Sequence, residues 1–206
     1  MHWPELTAAI EEFRLVRGRT LGVAARLSDE QAGRRARSGT WSVAEVLDHL
    51  VRTEVVFRKY QQEAVKRAWA GARGTIRIGF REIDTRLRPL PRIWMPLLAP
   101  VLSGLNAVTP FGWRLAVMRK PGLVWAAAPK VAEPRSTRAL DELKSDLTSE
   151  MQETAALFAG DLPEALPWVR VAHPLYGSNN VLQMVRLMGA HEQRHQHQLG
   201  AILKEL

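Results

Sequence analysis

Two histidines four residues apart, His191 and His195, lie in a C-terminal stretch whose apolar residues recur at three-and-four spacing: Val181, Met184, Met188, His191, His195 and Ile202. On a helix that spacing makes one inward stripe, so the imidazoles take positions where leucine is expected. Side chains four apart stack on one face, and both rings can reach a single ion. His49 occupies a comparable place in an earlier stretch, Val46, His49 or Leu50, Thr53, Phe57 and Tyr60. Three inward imidazoles from two helices supply three sites of a tetrahedral or five-coordinate divalent metal and leave an open position for water or substrate. The residues by themselves also allow a plainer reading, core histidines each satisfied by one hydrogen bond, and His49 alone suits that reading well. The pair is harder to explain that way, because two buried imidazoles without a shared partner are costly. The chain contains no cysteine, so a transition metal must be held by nitrogen and oxygen.

His191-Glu-Gln-Arg-His195 also fits the H-E-x-x-H pattern of zinc proteases, whose glutamate activates a bound water. Such a protease takes a third ligand downstream and sets its helix beside a sheet, and neither is expected here. Glu192 stands about a third of a turn from His191, where it either supports the ligands or faces solvent. Gln198 and Glu54 are weak candidates for a fourth ligand, and Asp48 and Glu45 are weak candidates to steady a ring. Arg194 and His173 are candidates to orient an anionic substrate.

Four long helices are expected to carry these residues. The first starts at Pro4 and runs to about Leu27 through Leu6, Ile10, Phe13, Val16 and Val23; Ser28 to Gln31 then offers a capping box for a short extra turn. Ser42-Val-Ala-Glu45 is a second capping box and opens helix two, which runs to about Trp69. A third helix fits Thr137 to Ala159, with Leu140, Leu143, Leu147, Met151, Ala155 and Phe158 on one stripe and Gly160-Asp-Leu-Pro163 as its stop. Ser178 is the expected cap of the last helix. Between helices two and three, residues 71–134 form an insert with frequent Pro and Gly, in which Ile76 to Arg88 and Trp94 to Leu105 are possible helical fragments. With no strand alternation visible, the expected fold is all-α, an antiparallel four-helix bundle, and residues 1–206 form one domain.

The balance of 46% hydrophobic and 24% charged residues is that of a globular chain rather than a disordered one. The net charge of +8 is spread along the chain without a nucleic-acid-binding signature, so it is read as a solvated face that can attract an anionic ligand, not as a specific nucleic-acid surface. Ile93 to Trp113 carries no charge, but Pro96, Pro100, Gly104, Pro110 and Gly112 interrupt it. A membrane span is therefore not expected; the segment should cover the bundle or an interface between two copies, as in a homodimer. The N-terminal residues lack the basic and then apolar pattern of a secretory signal, which makes the cytoplasm the expected compartment.

Two stretches, Thr40-Trp-Ser-Val-Ala-Glu-Val-Leu-Asp-His49-Leu and His173-Pro-Leu-Tyr-Gly177 followed by His191-Glu-Gln-Arg-His195-Gln-His-Gln, together with Leu27-Ser-Asp-Glu-Gln31, give the chain its strongest resemblance. It resembles the DinB-like (YfiT-like) superfamily of metal-binding four-helix bundles over most of its length outside the insert. The resemblance implies an up-down-down-up bundle with zinc or nickel held at His49, His191 and His195. It also implies a thiol-dependent transferase or isomerase that uses a low-molecular-weight thiol and a small-molecule substrate; it does not imply DNA binding. The leading expectation is an S-transferase acting on small electrophiles. A metal-dependent hydrolase, a bundle in which the ion is only structural, and a membrane-surface protein are the alternatives; no catalytic residue is assigned.

Overall fold

A computed structural model describes residues 1–37, 39–79, 101, 104–105, 109–120, 128–135, 138–173 and 176–205. The chain is mostly helical: α1 Pro4–Ala24, α2 Asp29–Gly33, α3 Val43–Trp69, α4 Phe111–Arg119, α5 Leu140–Leu157 and α6 Val181–Glu205. Both capping boxes form. Ser28 takes the Gln31 backbone N–H and Ser42 that of Glu45, while the Gln31 and Glu45 side chains reach back to the cap residues. These reciprocal bonds satisfy donors that a helix start leaves open, which is why both starts were readable. At its other end α3 is followed by Gly71 at φ +70, a conformation an L side chain rarely adopts.

The last helix starts later than expected. Asn180, not Ser178, caps it: the Asn180 Oδ1 takes the Gln183 N–H while the Gln183 Oε1 takes that of Asn180. Ser178 lies instead in a short strand. The all-α expectation is corrected here, because three strands, β1 Gly74–Arg77, β2 Val169–His173 and β3 Gly177–Asn179, form a sheet in the order β1-β2-β3. β1 pairs with β2 in parallel, and β2 with β3 antiparallel. Val169 and Val171 alternate inward along β2 and are buried, but the strand is too short to show the period plainly. Ile76 and Arg77, expected in a helical fragment, belong to β1. Most of the expected fragment Trp94 to Leu105 and of the apolar segment 93–113 lies outside the described residues, though Val101, Gly104 and Leu105 are helical; the segment's last residues open α4, which packs on α6 through Met118, Leu187 and Ala190. No helix among the described residues is long and apolar enough to cross a membrane.

The long helices share two apolar clusters. One gathers Leu6 to Phe13 of α1, Ala64 and Ala68 of α3, Met151 of α5 and Val181 to Met188 of α6. The other gathers Ala24 of α1, Val43 to Val51 of α3, Leu140 to Leu147 of α5, and Leu199 and Ile202 of α6. Thus the starts of α1 and α6 meet the ends of α3 and α5, and the reverse holds at the other cluster. Between the two lies a buried polar layer comprising Arg17 and Thr20 of α1, His49, Glu54, Arg58 and Gln61 of α3, Thr154 of α5, and His191, Glu192 and His195 of α6.

Candidate metal centre

Helix α3 brings His49, and α6 brings His191 and His195, to one point in the polar layer. All three are buried, at 3%, 6% and 4% exposure. His191 Nε2 lies 3.2 Å from His195 Nε2 and 3.4 Å from His49 Nε2, and the three candidate ligand atoms fall within 4.8 Å of one another. Four tetrahedral ligands at zinc–nitrogen distances stand about 3.3 Å apart, so the spacing suits a shared ion.

The other ring nitrogens decide the tautomers. His49 Nδ1–H donates to the Ala132 carbonyl at 2.7 Å, and His195 Nδ1–H donates to Gln198 Oε1 at 2.8 Å. Each of these neutral rings then presents a bare Nε2 lone pair to the centre. His191 Nε2 carries at most one proton and cannot donate to both. A cation satisfies every lone pair at once, so the donor set fits a divalent ion. Expected partners Asp48 and Glu45 are not used in this way. The Asp48 carboxylate is buried but takes the Arg135 backbone N–H at 2.6 Å and Arg138 Nη1 at 3.2 Å; Glu45 closes the α3 capping box and pairs with Arg35. Trp41 packs against the centre, with its ring centroid 4.9 Å from His49 and 6.3 Å from His195.

Electrostatics keep the rings neutral. Burial lowers His49 to about 4, with the charges of Arg194 and Arg52 acting in the same direction. Burial, then the neighbouring histidines and Arg194, hold His191 well below its ordinary value; burial, His49 and Arg194 do the same for His195. Neutral imidazole is the form that binds metal.

Glu192 has a different role from the one its motif suggests. Arg17 Nε donates to both its carboxylate oxygens at 3.0 Å, and Arg17 Nη2 reaches Glu192 Oε2 at 2.9 Å and Glu54 Oε2 at 2.6 Å. Thr154 Oγ1 donates to Glu54 at 2.9 Å, and Arg17 Nη1 donates to the Leu147 carbonyl. Both carboxylates are engaged away from the histidines, so neither acts as fourth ligand. Burial raises the Glu54 pKa while Arg17 pulls it down; burial also opposes the Arg17 charge, but Glu192 and Glu54 outweigh it. Sequence reasoning missed this network. Its signal was Arg17 itself, an arginine at the three-and-four position after Leu6, Ile10 and Phe13.

The two residues considered for anion binding separate. His173 stacks on Tyr176 with centroids 4.3 Å apart and accepts the Tyr176 backbone N–H through Nδ1. Burial lowers it to about 3, so it offers no charge and instead lines a small apolar cavity of about 30 Å³ with Phe57, Tyr176, Met184 and Leu187. Arg194, by contrast, points Nη2 to within 3.4 Å of His195 Nε2.

Comparison with known proteins places the chain in a family. A sequence model of the DinB superfamily matches residues 12–199. The chain is 26% identical to the uncharacterized protein YuaE of Bacillus subtilis (strain 168) over 180 residues, 87% of this chain and 88% of that relative. No solved structure gives a significant match. The match takes in both the helix that carries His49 and the helix that carries His191 and His195, and the chain belongs to the DinB superfamily.

Proposed function

We propose that the chain is a cytoplasmic metal-dependent S-transferase, in which an open three-histidine site activates a low-molecular-weight thiol for attack on a small electrophile. The observation that carries the reading is the convergence of three Nε2 atoms with no fourth protein ligand joining them among the described residues. A closed structural site would recruit one, and the nearby carboxylates that could serve, Glu54 and Glu192, are held by Arg17. The frame is an up-down-down-up four-helix bundle forming one domain, a reading supported by the alternation of helix ends between the two apolar clusters. Zinc or nickel suits an all-nitrogen site without thiolates.

When bound, such an ion lowers the pKa of a thiol or water placed on it and so supplies a nucleophile near neutral pH. The protein's own groups do the rest. Ala132 and Gln198 fix two rings with their lone pairs inward, burial keeps all three rings unprotonated, and Trp41 shields one side of the centre from water. The test combines elemental analysis with a thiol-plus-electrophile panel, using wild type and His195→Ala. Conjugation that requires both metal and thiol supports the proposal. Turnover with water but no thiol would replace it with hydrolysis, and metal retained by the variant would remove the ligand assignment.

A further inference from the structure

Arg194 carries an unbalanced charge beside the centre. It is half-buried on α6, and among the described residues no carboxylate pairs with it. Among the described residues its hydrogen-bond contact is His195 Nε2, the nitrogen that would face an ion. The contact sets the guanidinium beside the point that the three histidine nitrogens share, without taking the single lone pair that a neutral His195 ring turns to it. A divalent ion at coordination distance from the same nitrogen would stand within about 6 Å of the guanidinium. Two such cations in a water-poor site repel strongly unless an anion lies between or beside them. The three ligands are neutral and supply none. Glu192 is held by Arg17, and Asp48 by Arg138 and the Arg135 backbone N–H.

Tyr176 lies near the same guanidinium. Burial raises its phenol pKa while the Arg194 charge lowers it. A planar guanidinium with a neighbouring phenol donor matches a carboxylate.

We infer that Arg194, assisted by Tyr176, selects an anionic substrate at the open side of the centre, so that one of the two reactants carries a carboxylate-class group close to its reacting atom. The inference rests on the reading of the centre as a thiol-activating site and adds the class of molecule it takes. Arg194 is a specificity residue here: it leaves the metal ligands unchanged and determines which molecule docks beside them.

The test uses full-length protein loaded with cobalt(II), whose absorption reports changes at the ion. It is titrated with 3-mercaptopropionate and with neutral 2-mercaptoethanol. Wild type should bind the carboxylate-bearing thiol about tenfold or more tightly than the neutral one, the scale of one charge-assisted bond. In Arg194→Gln the ratio should fall to about one, in Arg194→Lys to an intermediate value, and in Tyr176→Phe by a few-fold. Equal affinities in wild type, or a preference that survives Arg194→Gln, would overturn the inference. If Arg194→Gln fails to load cobalt, the lysine variant supplies the comparison, and an unchanged ratio there counts against it. If neither thiol perturbs the cobalt spectrum, the thiol reading fails instead. Propionate then judges the anion site alone: it should raise the melting temperature of metal-loaded wild type by more than that of Arg194→Lys, and a null result in wild type overturns the inference too.

Discussion

His49 and His195 each commit one ring nitrogen to a protein acceptor, and this determines what the other can do. Gln198 closes α6's polar run about one turn beyond His195, and its Oε1 sets the His195 tautomer rather than acting as a ligand. Replacing Gln198 by Ala should therefore weaken metal binding by about tenfold or more, in the range found when such outer partners are removed. Competition against a chromophoric chelator measures it; unchanged affinity would leave Gln198 with no part in the site. The same neutral rings predict a pH response in the metal-free protein. Since the folded-state value of His49 is about 4 and its ordinary value is 6.5, the unfolded chain binds the proton more readily. The contribution of His49 is thus fully present above pH 6.5 and is lost progressively as pH falls toward 4. It amounts to about 3 kcal/mol for that ring. His191 and His195 shift in the same direction and steepen the loss. Chemical denaturation of chelated protein between pH 7.5 and about 4.5 should show a falling midpoint; a flat profile would mean that the rings are not buried as described.

At the scale of the elements, the polar layer ties α1, α3, α5 and α6 together through one arginine. Arg17→Met leaves Glu54 and Glu192 buried together without their counter-charge, and loss of one partner from a buried ionic network costs about 3–5 kcal/mol. Denaturant unfolding should show that loss, whereas metal content measured on folded protein should be retained, because no ligand has changed. Metal lost with stability intact would reverse the assignment. Much of this framework was legible in the sequence where local chemistry decides it. The capping boxes at Ser28 and Ser42 depend on residues three apart, and the histidines betray themselves by interrupting an aliphatic stripe. What was not legible depends on long-range pairing. Nothing near Glu192 in the chain indicates that it faces Arg17, and the H-E-x-x-H pattern pointed the other way. The short strand Gly177–Asn179 acquires its identity only from β2, so Ser178 looked like a helix cap when Asn180 is the residue that makes the cap bonds.

For the whole molecule, the position of the centre between two apolar clusters separates the roles of metal and core. Each long helix contributes to both clusters, so it remains held at both ends when the middle layer changes. An ion bound across His49 and the α6 pair still favours the folded chain, because unfolding separates α3 from α6 and disperses the ligands. With free metal about a thousandfold above its dissociation constant, that linkage is worth about 4 kcal/mol. For a chain of this size the melting temperature should then rise by about 10 °C on loading and fall back on chelation. The shift should grow with metal concentration, while the helical far-UV signal at room temperature stays the same. In His195→Ala, two imidazoles remain without the geometry of three, so metal should no longer move the transition even though the variant is folded. A melting temperature independent of metal in wild type would mean that the native chain does not bind the ion. Collapse of the helical signal on chelation would show that the two clusters cannot hold the helices without it, and would transfer the ion from a resident of the fold to a condition of folding.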